Sequence, residues 1–443
     1  MHQIESLQKQ CLAPVCWRQH DPKFGPVYCR AEGPWLWDSQ GNRYLDFVCG
    51  YSVTNFGHVF PPFVEAAQKQ LTQLTHVTGE LHSKQLELAS SLLSFLGFEQ
   101  GSHKVIFNST GARAIESAWK VATAFRPGRV LAFRSGFHGR SLATTALQGE
   151  SSLQIIDLTG KAVETRCQTE YPYCLRCPLE QQFPACEINC AKPLFHQLER
   201  YDKGIAAIIV EPMLGVGGYV APPDDFFQKL RSVTQKLGIL LIADEIQTGL
   251  GRCGSKLLSA AQGWEPDLIV LGKSLGGGIA PLSCVIGAAP LLSNLPPGSE
   301  SETFAASPMA CAVGLEVLQQ LELGPWLERG RQLGSILRTR LQQLFNNRQS
   351  HKTIAITGIG PNAILEFGCD SPLVAASNLR DEQHSTWEAT RLAREFATAC
   401  FRNQLLVHLT GPDRTRVALL PPLNLADEDL EFAMQKIQES TPP

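Results

Sequence analysis

Ile239–Arg252 reads ILLIADEIQTGLGR, and Leu268–Gly278 reads LIVLGKSLGGG. In each, a short apolar run stops abruptly at polar or charged residues, with glycine behind them. Runs this short, bounded in this way, suit strands buried on both faces, as strands are in a parallel sheet. The flanking sequence repeats the pattern. Lys104–Asn108 (KVIFN), Arg129–Phe133 (RVLAF), Ala206–Val210 (AAIIV) and Val285–Ala288 predict further strands. Ala112–Phe125 and Asp224–Lys236, lying among them, have helical spacing. This alternation predicts an α/β fold with a mostly parallel central sheet flanked by helices.

Working outward, Gly33–Phe47 (GPWLWDSQGNRYLDF) predicts two short strands joined by a turn at Ser39-Gln40-Gly41-Asn42. Pro62–Leu74 and Ser83–Leu96 predict helices. From about Leu321 the periodicity becomes helical, with Leu327–Phe345 the clearest helix, and shorter strands and helices follow. The expected organisation is an N-terminal segment, 1–60, that contributes to a small domain, a large domain over 61–320, and a C-terminal small α+β domain over 321–443. A stretch rich in Cys, Pro and Gln, at about 167–192, reads as an insertion in the large domain.

The chain has 443 residues, 44% hydrophobic and 18% charged, enough for two or three packed units and with no sign of disorder. A net charge of -3 gives no reason to expect nucleic acid or an anionic membrane surface as partner. No apolar run approaches the roughly 20 residues that span a bilayer. Met1–Gln10 is polar and lacks the apolar stretch of a secretory signal. Fourteen cysteines in so long a chain do not make a disulfide framework and point to a reducing, cytoplasmic setting.

In an open parallel sheet, ligands sit beyond the carboxyl ends of the strands. The tips to examine are Ser109-Thr110-Gly111, Gly136–Arg140, Glu211-Pro212, Asp244–Gln247 and Gly272-Lys273-Ser274. An acid leaving a buried strand, as Asp244 does, needs a cationic partner to offset its desolvation. A turn or a lysine would satisfy it. So would a protonated pyridine nitrogen, and that pairing makes the ring a better electron sink. Lys273 follows at another strand exit, where a lysine is desolvated, its pKa lowered and its amine ready to form an imine.

From about Gly33 to the C-terminus the chain resembles the class III (ornithine/GABA-type) aminotransferases, pyridoxal 5'-phosphate (PLP) enzymes of fold type I. ADEIQTGLGR followed by GKSLGGG carries the likeness. The resemblance implies a PLP-dependent transferase, working as a homodimer, that moves an amino group from an amine or amino acid to an oxo acid. It implies Lys273 as the Schiff-base lysine and proton shuttle, Asp244 as the acid on the pyridine nitrogen, and Gln247 as the amide that reaches the ring hydroxyl. Phe137 of GFHGRS, with His138 beside it, matches the aromatic stacked on the ring. Phosphate falls to Thr110-Gly111-Ala112, where backbone N–H groups and a helix dipole favour a dianion. Thr303, in SETFAASPMA, resembles the threonine that reaches the phosphate from the neighbouring subunit. Glu211, in EPMLGVGG, resembles the acid near the ring hydroxyl. Tyr51 and Arg140 resemble the tyrosine and arginine placed over the substrate, and Arg140 equally suits a structural ion pair.

Three places depart from the family pattern. Arg113 stands where a glutamate is usual, and Ala112 before it lacks a hydroxyl, so phosphate contacts are expected to be altered without being lost. Ala418, in TRVALLPPL, replaces the arginine that binds a substrate carboxylate in many relatives. Val216 replaces a glutamate that gates this arginine in some of them. Without the arginine the gate has nothing to shield, so the usual recognition of glutamate is not expected. Arg416, on the same strand face as Ala418, would need a bulge to substitute. Racemisation, decarboxylation or elimination on the same scaffold needs no second oxo acid and is the alternative reading. A regulatory cofactor-binding protein is disfavoured by the intact Asp244, Gln247 and Lys273.

Cys174, Cys177, Cys186 and Cys190 form a second constellation, punctuated by Pro172, Pro178 and Pro184. Such spacing suits structural zinc or an iron–sulfur cluster, as well as four free or disulfide-paired thiols. Some GABA-type relatives carry a similar insertion. The remaining cysteines read as core fillers.

Overall fold

The computed structural model describes residues 10–11, 26–77, 79–148, 171–346, 354–368 and 382–441. The start of the predicted cysteine-rich insertion, to residue 170, and residues 1–9 and 12–25 of the N-terminal segment therefore lie outside the described residues.

Six strands form the central sheet, in the order His103–Asn108, Ser283–Ala288, Leu268–Leu271, Leu240–Asp244, Ile205–Val210, Arg129–Ala132. The last four run parallel, and Ser283–Ala288 is antiparallel to both its neighbours. Successive side chains leave opposite faces, and each face has its own helical cover. On one side Val130, Ile209, Ile242 and Val270 meet Ala114, Ala118 and Val121 of the helix Gly111–Phe125. On the other, Ile208, Val210 and Leu241 meet Leu194, Phe226 and Leu230, while Leu271 and Ile286 meet Leu88, Leu92 and Val317. Burial on both faces is why these strands are apolar throughout, without alternation. Truncating one of them, as in Ile242→Ala, costs about 2–5 kcal/mol.

The helix Pro308–Leu323 was not among the elements expected from the sequence. It is buried nearly all round, through Ala310, Cys311, Val313, Val317, Leu318 and Leu321, so it carries no polar stripe to mark its period. It supports the turn after Lys273 closely. A Cβ placed on Gly277 would lie 2.7 Å from Val313.

Two smaller sheets complete the fold. Tyr28–Glu32, Trp35–Asp38 and Arg43–Asp46 form an antiparallel meander, joined in parallel by Leu405–Leu406. Its predicted turn closes because Asp38 Oδ1 accepts from the backbone N–H groups of Gln40 and Asn42, both at 2.9 Å, while Gly41 takes φ 86. Ile354–Thr357, Ala363–Phe367, Arg416–Leu419 and His408–Thr410 form the second, wholly antiparallel sheet. Leu333, Leu337 and Leu341 of the helix Trp326–Asn346 and Phe396 of the helix Glu382–Arg402 pack with both sheets in one core.

Candidate active site

Adjacent strands set the site. Asp244 pairs across the sheet with Val270, three residues before Lys273, so the acid and the lysine leave neighbouring strand ends. Gln247 Oε1 accepts from Lys273 Nζ at 2.6 Å, and Gln247 Nε2 donates to the Tyr219 hydroxyl at 2.7 Å. Asp244 Oδ2 lies 2.7 Å from His138 Nδ1, and its Oδ1 accepts from the Ile246 N–H at 3.1 Å. Glu211 accepts from the N–H groups of Phe137 and Gly215, each at 2.8 Å. Lys273, Gln247, Asp244, His138, Phe137 and Glu211 thus gather from four strand ends at one place.

Burial and charge perturb the proton affinities there. Desolvation brings the Lys273 amine down to about 8, against the opposing pull of the Asp244 and Glu211 charges. Burial pushes the Glu211 carboxyl up to about 7, with His138 pulling it down and Asp244 pushing it up. Burial opposes charge on His138 too, but the hydrogen bond and charge of Asp244, helped by Glu211, outweigh it and raise its pKa. An amine and a carboxyl both brought close to neutrality in a single cleft are the mark of a reactive site.

The backbone is shaped around these groups. A Cβ on Gly136 would lie 2.9 Å from His138 Nε2, one on Gly111 would lie 2.9 Å from Ile246, and one on Gly215 would overlap Gln247 Oε1. Lys273 itself has φ 45, a left-handed conformation that a lysine holds only where its surroundings enforce it.

Thr110 caps the helix Gly111–Phe125, its hydroxyl accepting from the Arg113 N–H at 3.3 Å. The first N–H groups of a helix have no partner inside it and are available to an anion. Gly139 packs directly on Ala112, so this helix start abuts the loop that carries Phe137 and His138. Arg113, the first departure, pairs with Glu300 at 2.9 Å and Glu302 at 3.1 Å. Glu302 also accepts from Asn108 Nδ2 at 2.7 Å and the Ser109 N–H at 3.2 Å. These contacts fix the segment before Thr303 against its own helix and leave Thr303 exposed. Tyr51 sets its ring edge-on to His408 at 4.6 Å. The exposed Arg140 lies over Phe137, 5.1 Å from the ring centre.

The other departures have a physical setting. Ala418 is buried with Tyr219, Cys253 and Ile364, and Val216 is 44% exposed. Arg416 is buried in ion pairs to Glu366 at 3.1 Å and Asp413 at 3.6 Å, and its strand keeps regular register with both neighbours. There is no bulge, and Arg416 is committed elsewhere. Arg176, from the cysteine-rich stretch, joins the same Glu366 at 2.5 Å, and the Tyr173 hydroxyl donates to it.

Cys174, Cys177, Cys186 and Cys190 are free thiols close enough to influence one another. Burial first, then the other three thiols, pushes Cys190 up to about 11. Among the described residues no three His, Cys, Asp or Glu side chains stand where they could hold a metal ion, so the zinc or iron–sulfur expectation finds no support.

Sequence reasoning missed Tyr219, the contact between His138 and Asp244, and Glu302 at the helix start. Nothing in the spacing of these residues signals them, because each partner arrives from a distant part of the chain.

The residues present fit PLP. An amine of lowered pKa, a buried carboxylate one strand away, an aromatic residue whose backbone N–H is held by Glu211, and a helix start suited to a phosphate are what a PLP-dependent transferase of fold type I requires. The aminotransferase class-III family model matches residues 17–440, and the chain belongs to that family. It is 34% identical over 91% of its length to 2-aminoadipate transaminase of Pseudomonas putida, covering 92% of that protein. It is 28% identical over 94% of its length to leucine/methionine racemase of Thermococcus litoralis, covering 90% of it. An amine transaminase from an uncultivated Pseudomonas species, crystallised with PLP bound, superposes with a TM-score of 0.81 at 25% identity, over 97% of this chain and 98% of that one. Among the described residues no helix is long and apolar enough to cross a membrane.

Proposed function

We propose that this aminotransferase works through Lys273, with its cofactor held by Thr110, Gly111, Ala112, Phe137, His138, Glu211, Asp244 and Gln247. The observation that carries the reading is the 2.6 Å contact of Lys273 with Gln247, on the strand end next to Asp244. When bound, PLP supplies an aldehyde that joins an amine and a ring that withdraws electrons from it. Asp244, steadied by His138 and the Ile246 N–H, would supply the counter-charge to the cofactor's ring nitrogen. Phe137, its backbone fixed by Glu211, would lie against the ring of the bound cofactor. Lys273 Nζ, near 8, gains and loses a proton readily at neutral pH and serves as the base and acid beside the substrate.

Arg140 and Tyr51 line the substrate side in this reading. With Arg416 engaged and position 418 a methyl group, Arg140 is, among the described residues, the cation assigned here to meet a substrate carboxylate. A family member on 2-aminoadipate supports a dicarboxylic or carboxyl-bearing amine as donor and an oxo acid as acceptor. The protein works as a homodimer in the cytoplasm, with Thr303 of each subunit completing its neighbour's phosphate site. The exposed Thr303 and Phe304, the latter 66% accessible, support that arrangement. In this reading residues 61–320 form the large cofactor-binding domain, and residues 1–60 contribute to the small domain of 321–443.

Lys273→Ala is the test. It should abolish the visible absorption of the lysine-bound cofactor and its bleaching by borohydride, and a variant that keeps both refutes the lysine. A panel of amines and oxo acids, scored by oxo-acid release, then defines the substrate. Turnover that inverts a chiral centre without releasing an oxo acid would instead mark a racemase, the second reading, which the methyl group at Ala418 favours.

A further inference from the structure

We propose that Tyr219 is a positioning residue for this site: its phenol clamps the Gln247 amide against Lys273 and so controls the protonation of that amine. The proposal rests on the role given to Lys273 and Gln247 above.

The geometry is a three-member chain. An ammonium has donors only, so the Gln247 atom 2.6 Å from Lys273 Nζ is the oxygen, and the nitrogen faces the Tyr219 hydroxyl at 2.7 Å. A hydroxyl both donates and accepts. If the amide turns to donate towards a ring oxygen, its own oxygen can accept from the same phenol. Tyr219 thus holds Gln247 in either orientation, which a phenylalanine could not do.

The fold is strained to put Tyr219 there. Its φ is 56, in the left-handed region, directly after Gly217 and Gly218, and its N–H is tied to the Gly215 carbonyl at 3.1 Å. A bulky residue keeps such a conformation only where its surroundings impose it, and strain of this kind gathers at working sites. The ring is 3% exposed and packed among Met213, Cys253, Leu258, Ile364, Ala418 and Leu420. The methyl group of Ala418 is what leaves the phenol its room. Its ionisable neighbours are Tyr51, Arg252, Cys253 and the His408 ring at 6.3 Å, while those of Lys273 are Asp244 and Glu211. Burial raises the Tyr219 pKa, so the group remains a neutral hydroxyl.

The experiment measures capture of PLP by the apoprotein as a function of pH, together with the affinity for PLP. An acceptor on the charged form favours it, so loosening Gln247 lowers the pKa of Lys273. Tyr219→Phe should move the apparent pKa of capture down by about half a pH unit or more, and weaken PLP binding roughly three- to tenfold. An unchanged pH profile with unchanged affinity overturns the proposal. Ala418→Leu, which crowds the ring without removing its hydroxyl, should give the same shift, and it decides the matter if Tyr219→Phe does not fold. Lys273→Ala separates the two readings. If it abolishes the absorption band while both other variants behave as wild type, only the clamp is wrong. If the band survives, the underlying site is wrong.

Discussion

Lys273 provides the sharpest quantitative test. Its amine lies at about 8, against 10.5 for an ordinary lysine. At pH 7 roughly one amine in ten is then neutral, compared with about one in 3000 for an exposed lysine, a difference of roughly 300-fold in reactive nucleophile. Desolvation does this alone, since the two nearby carboxylates oppose it. Removing one carboxylate should therefore lower the pKa further, opposite to the intuition that losing a neighbour restores normal behaviour. Glu211→Gln is the perturbation. Because Glu211 itself titrates near 7, it is charged on the alkaline side, where Lys273 loses its proton. The apparent pKa of PLP capture by the apoprotein should fall by about half a unit, and capture at pH 7 should quicken roughly threefold. Stopped-flow absorbance between pH 6 and 10 reads both. Capture that keeps rising through pH 10, or a Glu211→Gln profile displaced upward, would refute the account of the lysine as desolvated.

Gly215→Ala places a methyl group on Gln247 Oε1, so PLP affinity should drop by about tenfold or more while the circular dichroism stays native. Arg416→Leu takes one of the two guanidinium partners from Glu366, leaving it Arg176 and the Tyr173 hydroxyl, and should lower stability by about 3 kcal/mol in urea denaturation, with an unchanged midpoint arguing that the pair is unimportant. In the proposed homodimer, mixing Thr303→Ala with Lys273→Ala subunits should regain activity, because one site of each mixed dimer would receive both native residues; no gain would overturn the sharing of Thr303 between subunits.

Much of this was readable from residue order, for identifiable reasons. Leu268–Leu271 was placed to the residue, and the neighbouring strands to within two, because burial on both faces makes each run apolar and its polar exit abrupt. The same abruptness exposed Asp244, Gln247 and Lys273. Pro308–Leu323 escaped notice because a helix covered on every side has no alternation to read. Tyr219 escaped because its meaning lies in an angle, a φ of 56 imposed by the loop, and in a partner 28 residues on. Arg113 was visible as a reversal of charge. What balances it, Glu300 and Glu302, arrives from almost two hundred residues downstream and only folding brings it there.

Tyr173 and Arg176 reach out of the cysteine-rich stretch to Glu366, which Arg416 holds from the other side. For anyone building chimeras of this enzyme, the stretch is therefore no interchangeable cassette. Splicing it out, or importing the C-terminal sheet of a relative, strands a carboxylate or a guanidinium in the dry interior unless positions 173, 176, 366, 413 and 416 travel as one block. A recombination map that cuts between them should yield mostly insoluble progeny, while one that respects them leaves the strand ends around Lys273 free to be diversified.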